Sequence, residues 1–147
     1  MKDTKLNNWQ EFIIYQNQRG ISGELIQLLK DIYAHLKIQY SITPEQVNLR
    51  YEKMTFQVAN NKRQGKLFLN VLIKKSFLRL LLLNDGVIPA IATKVEGVKG
   101  YPNLHKIELS KNSDFTTEVR MAILKAYKVV SEISIFNNKT TIKIAKE

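Results

Sequence analysis

Residues 66–83, KLFLNVLIKKSFLRLLLL, leave little freedom in the choice of fold. An apolar, β-branched and aromatic run from Leu67 to Ile73 is interrupted by Lys74-Lys75-Ser76 and resumes from Phe77 to Leu83. This pattern predicts two strands joined at a lysine turn, a hairpin. In the first arm Leu67, Leu69, Val71 and Ile73 share one face, and Phe68, Asn70 and Leu72 share the other. In the second arm Phe77, Arg79, Leu81 and Leu83 alternate with Leu78, Leu80 and Leu82. Neither arm alternates cleanly with polar residues, so both faces are expected to be largely covered, as in central strands flanked by helices.

The segments before the hairpin predict helices and short strands. Residues 5–18 carry Trp9, Phe12 and Ile13 at helical spacing and stop at Arg19-Gly20, which predicts a short helix acting as a lid or arm. Trp9 is expected in the core rather than as a stacking platform. Ser22 is a predicted N-cap for a second helix through Lys37, with Leu25, Leu28, Leu29, Ile32 and Leu36 on one stripe. His35 lies off that stripe and is expected at the surface. Thr43 and Gln46 predict a capping box around Pro44. Val47, Leu49 and Tyr51 then alternate with Asn48 and Arg50 ahead of a run from Lys53 to Ala59, which fits one bulged strand or two short ones. Residues 60–65 form a turn by composition, and Gly65 is placed to adopt a positive φ.

After the hairpin, Asn84-Asp85-Gly86 signals a turn. Pro89, Gly97, Gly100 and Pro102 predict a long irregular connection. His105 to Ser110 reads as a strand with Ile107 and Leu109 inward. Asp114 is expected to cap a last helix whose buried stripe is Phe115, Val119, Ala122, Ile123, Ala126 and Val130. The tail ISIFNNKTTIKIAKE predicts two β segments around Asn137-Asn138, available as edge strands or for pairing with a second subunit. The expected fold is a single α+β domain over residues 1–147. It has a helical arm (1–20), a core (22–130) and a C-terminal β tail (131–147). A mainly antiparallel sheet of four or more strands packs against two or three helices.

The formal net charge of +10 is unevenly distributed. Residues 1–46 are neutral, with five Lys or Arg against five acids, whereas residues 47–106 hold eleven against three. Such a concentration favours a polyanionic partner such as DNA or RNA, or an acidic protein surface, and a solvated basic face that merely aids solubility is the equal alternative. The candidate nucleic-acid-binding residues are Lys62, Arg63 and Lys66 on the basic turn, Lys74, Lys75 and Arg79 on the hairpin, and Lys94, Lys99 and Tyr101 in the long connection. The lysines and arginines are suited to neutralise phosphates and Tyr101 to stack on a base. All of this depends on the cations converging on one face.

Catalytic templates fail on inventory. With no Cys and two His, neither next to a carboxylate in sequence, triads and metal sites lack their ligands, and no catalytic residue, metal or cofactor is expected. No phosphate-cradling glycine motif is present. A metal-dependent nuclease core is the weakest reading considered. Asp85, Glu96 with Lys99, and Glu108 with Lys111 approximate its acid and Glu-x-Lys elements, but each spacing is one residue too long, and strand geometry points Glu108 and Lys111 to opposite faces. No apolar run reaches the ~20 residues of a membrane span. The first residues, MKDTKLNNWQ, do not resemble a signal peptide, so a soluble cytoplasmic protein is expected.

The order KMTFQV, KLFLNVLIKKSFLRLLLL, ATKVEGVKGYPNLHKIELS and DFTTEVRMAILKAYKVV resembles a small bacterial domain loosely labelled "predicted transport protein". The likeness covers about residues 22–130. Its most specific part is Lys74-Lys75 followed by Gly97, Gly100 and Tyr101; Tyr101 stands where the family tends to carry Trp, and Asn103-Leu104 replaces an acidic residue. The resemblance implies an accessory module, alone or attached to restriction-like or HNH-nuclease-like defence proteins, with no established catalysis. The expected function is therefore a non-enzymatic nucleic-acid-binding accessory module linked to bacterial defence or restriction. The alternative is a protein-interaction module, a homodimer through the β tail or an inhibitor.

Overall fold

A computed structural model of the protein describes residues 8–58, 67–83, 92–94 and 104–136. Three helices, α1 (Trp9–Gln18), α2 (Gly23–Tyr40) and α3 (Thr117–Phe136), accompany six strands. These are β1 (Val47–Leu49), β2 (Lys53–Gln57), β3 (Leu67–Ile73), β4 (Leu78–Leu83), β5 (Thr93–Lys94) and β6 (Leu104–Leu109). They form one antiparallel sheet in the order β1-β2-β3-β4-β6-β5, an α+β fold with helices packed on the sheet. The expected hairpin is β3–β4, with Lys74 N–H donating to Phe77 O at 2.9 Å across the lysine turn.

Register determines which side chains meet the helices. Met54, Val71, Leu80 and Ile107 lie in one row, and Phe56 pairs with Leu69, so the alternate residues of four strands share the inner face. Leu69, Val71, Ile73, Leu78, Leu80, Leu82, Ile107 and Leu109 are all buried there. Each such side chain contributes roughly 1.5–3 kcal/mol relative to exposure. The helices cover this inner face. Leu72 and Leu81 point to the opposite face and are half-buried, so coverage there is less complete than the apolar sequence suggested.

Phe68 departs from strict alternation. Phe56 pairs with Leu69 but Gln57 pairs with Leu67, which leaves Phe68 as an extra residue in β3. That bulge turns Phe68 inward, where alternation had put it on the opposite face. Its ring meets Phe56 at 6.4 Å, Tyr40 at 5.4 Å and Tyr127 edge-on at 5.0 Å, joining β2, α2 and α3. Tyr40 also stacks on Tyr127 at 4.4 Å. Burial, and secondarily the Tyr127 hydroxyl, push the Tyr40 phenol up to about 12, so it stays neutral.

The helices form largely where periodicity puts them. Ser22 accepts from Leu25 N at 3.2 Å as the N-cap of α2, and all five residues of its predicted stripe are buried. Helix α1 packs onto the core through Phe12, with Trp9 stacked on Tyr33 at 4.0 Å, which binds it more closely than an arm. The Thr43 N–H donates to Gln46 Oε1 at 3.1 Å, as the predicted box requires.

Four expectations are corrected. Tyr51 is not on a strand but in the turn between β1 and β2, the second of the two arrangements that the sequence allowed for this region. Asp114 does not cap α3. Its carboxylate turns back to Ser110 N at 2.8 Å and closes a 3-10 turn, Asn112–Asp114, while Thr116 accepts from Val119 N at the start of the helix. His35 is half-buried rather than at the surface, with its ring edge-on to Phe115 at 5.5 Å. Residues 131–136 are helical and not the start of a β tail. No Gly or Pro occurs between Thr117 and Phe136, and extending a formed helix adds a hydrogen bond per residue. That gain exceeds the roughly 0.5 kcal/mol propensity penalty of a β-branched residue. The remainder of the tail, the turn at 60–65 with Gly65, and most of the long connection lie outside the described residues.

Phe68→Ala removes the side chain that joins three elements. We expect it to destabilise the domain by about 3–5 kcal/mol, read as the loss of midpoint in urea unfolding.

Candidate nucleic-acid interface

The structure gathers part of the basic set at one end of the sheet. There the C-terminus of α1, the turn at residues 50–52 and the turn at residues 74–77 meet. Ile73 N donates to Glu52 O at 2.8 Å, which holds the two turns side by side.

The sequence of α1 builds its part locally. Ile21 N donates to Gln16 O and Gly20 N to Asn17 O, both at 3.1 Å, the paired bonds of a Schellman ending. Gly20 sits at φ +84°, a left-handed conformation that L side chains rarely adopt. The ending leaves the Arg19 carbonyl pointing out, and Lys75 Nζ donates to it at 2.7 Å. A lysine at that position also meets the negative end of the helix dipole.

Arg19 reaches further into the corner. Its guanidinium donates to Gln16 Oε1 at 2.7 Å and to the carbonyls of Tyr51 and Ile73 at 3.3 Å each. Gln16, fully buried, donates to Tyr51 O at 2.7 Å. Every hydrogen-bond partner of Arg19 and Lys75 among the described residues is thus a neutral oxygen. Lys74 and Lys75 are exposed, and Arg50 and Lys53 flank the neighbouring turn, whose one acid is Glu52. The α1 dipole contributes about half a negative charge, so the corner stays positive. Tyr51 lies in the same corner with its ring 4.4 Å from Tyr15, and Arg19 lies 5.9 Å over Tyr15.

Arg79 is adjacent but differently occupied. Lys53, Leu72, Arg79 and Glu108 form one cross-strand row, so Lys53 and Arg79 are about 10 Å apart, two strand spacings. Arg79 donates from Nε to Glu108 Oε2 at 2.9 Å, with Nη2 at 2.8 Å from the same oxygen. Its charge is therefore compensated, whereas the hydrogen bond of Lys75 among the described residues goes to a neutral carbonyl.

The remaining predicted residues do not join this cluster among the described residues. Lys62, Arg63, Lys66, Lys99 and Tyr101 lie outside them, and of Lys94 only the backbone is described, paired in register with His105. Gln57 and Leu67, which flank the basic turn at 60–65, sit at the far end of β3 from Ile73, about 20 Å away along the strand. Asp85, Glu96 and Lys99 of the nuclease template are likewise outside. No group of three or more His, Cys, Asp or Glu among the described residues could hold a metal ion. Nor is any of the described helices long and apolar enough to cross a membrane. No family model, curated protein or solved structure matches the chain.

Arg19, Gln16, Tyr15 and Tyr51 were not legible as interface residues. Arg19 registered only as part of a helix stop, and nothing in its neighbourhood reports that carbonyls from residues 51 and 73 converge on it.

His35 is the other group whose chemistry the fold alters. Burial first, and then the nearby Arg120 guanidinium, hold its imidazole below the usual histidine range. The native state therefore binds fewer protons than the unfolded chain, whose His titrates near 6.5. The stabilisation is full above that value and is lost as pH falls through the depressed native one. Unfolding midpoints should drop from about pH 6.5 downward, and His35→Leu should flatten that part of the profile. Removing the guanidinium from the corner should act on stability directly. Arg19→Ala leaves two carbonyls and a buried glutamine short of a donor and is expected to cost about 1–3 kcal/mol in denaturant unfolding. Arg19→Lys should recover only part of it, since an ammonium cannot span the same fork.

Proposed function

We propose that the chain is a non-enzymatic nucleic-acid-binding module that meets the phosphate backbone with the sheet end formed by residues 50–53 and 74–77. The observation carrying this reading is the exposed Lys74-Lys75 pair beside Arg19, with no carboxylate among the hydrogen-bond partners that Lys75 and Arg19 find among the described residues. Cations whose charge is not cancelled internally keep their attraction for an external polyanion. Cations held by fixed hydrogen bonds lose less side-chain entropy when one arrives. Lys74 and Lys75 are the phosphate contacts in this proposal, Arg19 holds the corner together, and Arg50 and Lys53 extend the contact along the neighbouring turn. Lys62, Arg63, Lys66, Lys94 and Lys99 belong to the proposal on charge alone, and Arg79 contributes only once Glu108 releases it.

The accessory role in defence or restriction follows from the resemblance to the bacterial domain and is proposed on the same footing. The competing reading, a homodimer through a β tail, loses its best support because residues 133–136 are helical.

A titration of fluorescein-labelled duplex DNA over a salt series tests the proposal. Affinity should fall with a log–log slope of about −0.9 per phosphate contact. Lys74→Ala, which removes an exposed side chain and leaves the α1 ending intact, should reduce that slope by about 0.9 and weaken binding uniformly across sequences. A flat salt response, or a slope unchanged by Lys74→Ala, overturns it.

A further inference from the structure

Granted the phosphate contacts proposed above, we infer that the preferred ligand is a single-stranded nucleic acid, with a base seated on Tyr51 next to the backbone held by Lys74 and Lys75. Four hydrogen bonds fix the turn that carries Tyr51. Its carbonyl accepts from Gln16 Nε2 at 2.7 Å and from Arg19 at 3.3 Å. Glu52 O accepts from Ile73 N at 2.8 Å, and Arg50 N donates to Lys53 O at 2.9 Å. The last of these alone closes a hairpin turn. The other three immobilise the backbone under one side chain, and that side chain is aromatic.

The ring itself is half-buried, leaning on Tyr15 at 4.4 Å with 45° between the planes. Tyr15 supports it from one side, and Arg19 lies over the Tyr15 ring as a cation–π neighbour at 5.9 Å. Cations surround it within the chain: Arg50 directly before, Lys53 two residues after, and Lys74 and Lys75 on the turn tied to Glu52. Aromatic rings interleaved with cations in this way form the stacking platform of single-strand binders, where each base offers a π-face and the backbone follows the charge. A duplex keeps its bases stacked on one another and presents phosphates only, so it engages the lysines but not the ring. The sequence points to Tyr101 for stacking, which lies outside the described residues; Tyr51 is the ring of this inference because its backbone is held in place.

The test compares fluorescein-labelled oligo(dT) with the oligo(dA)·oligo(dT) duplex at matched salt, using the full chain. Oligo(dT) should bind more tightly. Tyr51→Leu keeps apolar bulk against Tyr15 but has no π-face, and should weaken oligo(dT) binding about ten-fold while duplex affinity changes less than about two-fold. Tyr51→Phe should bind oligo(dT) like the parent, and thermal melting of each variant verifies the fold. Equal weakening of both ligands by Tyr51→Leu, or of neither, overturns the single-strand inference and leaves the phosphate contacts standing. Salt-independent binding of both ligands, or no binding, overturns the phosphate contacts and the inference together.

Discussion

The seam between the inner face of β3 and β4 and the helices above it holds the molecule together. Leu69, Val71, Ile73, Leu78, Leu80 and Leu82 are buried in consecutive rows, and α3 supplies Val119, Ile123, Ala126 and Val130 opposite them. Six side chains at roughly 1.5–3 kcal/mol each make this a large local source of stability, which entropy then offsets heavily. The Lys74-Lys75 turn is carried at its end. Because β3 and β4 cannot slip by one residue without exposing the whole set, the lysine turn between them is held in a fixed position.

The corner at the end of this seam has a different physical basis. Holding Lys75 on the Arg19 carbonyl brings two cationic residues into one corner, where like charges repel weakly through water, by about 1 kcal/mol even at ~4 Å. Hydrogen bonds from charged donors to carbonyls are worth about 1.5–3 kcal/mol each, and four such bonds are made here, one from Lys75 and three from Arg19. The attraction to neutral dipoles therefore outweighs the repulsion, and none of these four bonds sets a carboxylate against the charge. Arg79 illustrates the opposite arrangement, since Glu108 neutralises it at the cost of any attraction for an outside anion.

How far the chain could be read in advance depended on the range of the interaction. Local signals held: Ser22 and the Thr43–Gln46 pair cap as expected, Arg19-Gly20 ends α1, and Lys74-Lys75-Ser76 turns the hairpin. Where two local signals competed, the weaker one misled. Asp114 is a good N-cap residue, but Ser110 N and Lys111 N reach its carboxylate first and Thr116 serves the helix instead. Ile133 and Ile135 carry a strand-like alternation, yet they continue a helix already formed. Alternation alone puts Phe68 on the opposite face because a bulge, set by the pairing of Gln57 with Leu67, is a property of two strands together.

The candidate interface shows the same division. Lys74 and Lys75 were identifiable because a charged interruption of an apolar run must be a turn, and turns reach solvent. Arg19, Gln16, Tyr15 and Tyr51 were not, because each owes its place to a partner about thirty or more residues away in the chain. Periodicity and turn chemistry act over a few residues, so the sequence by itself determined the α+β class, the existence of three helices with the end of α1 and the start of α2, most inner residues of the sheet and the excess of positive charge in its strand region. Which cations stand together, which one is neutralised and which aromatic ring is held beside them were decided only by tertiary structure, since Coulomb attraction and hydrogen bonding depend on distances in space that separation along the chain does not specify.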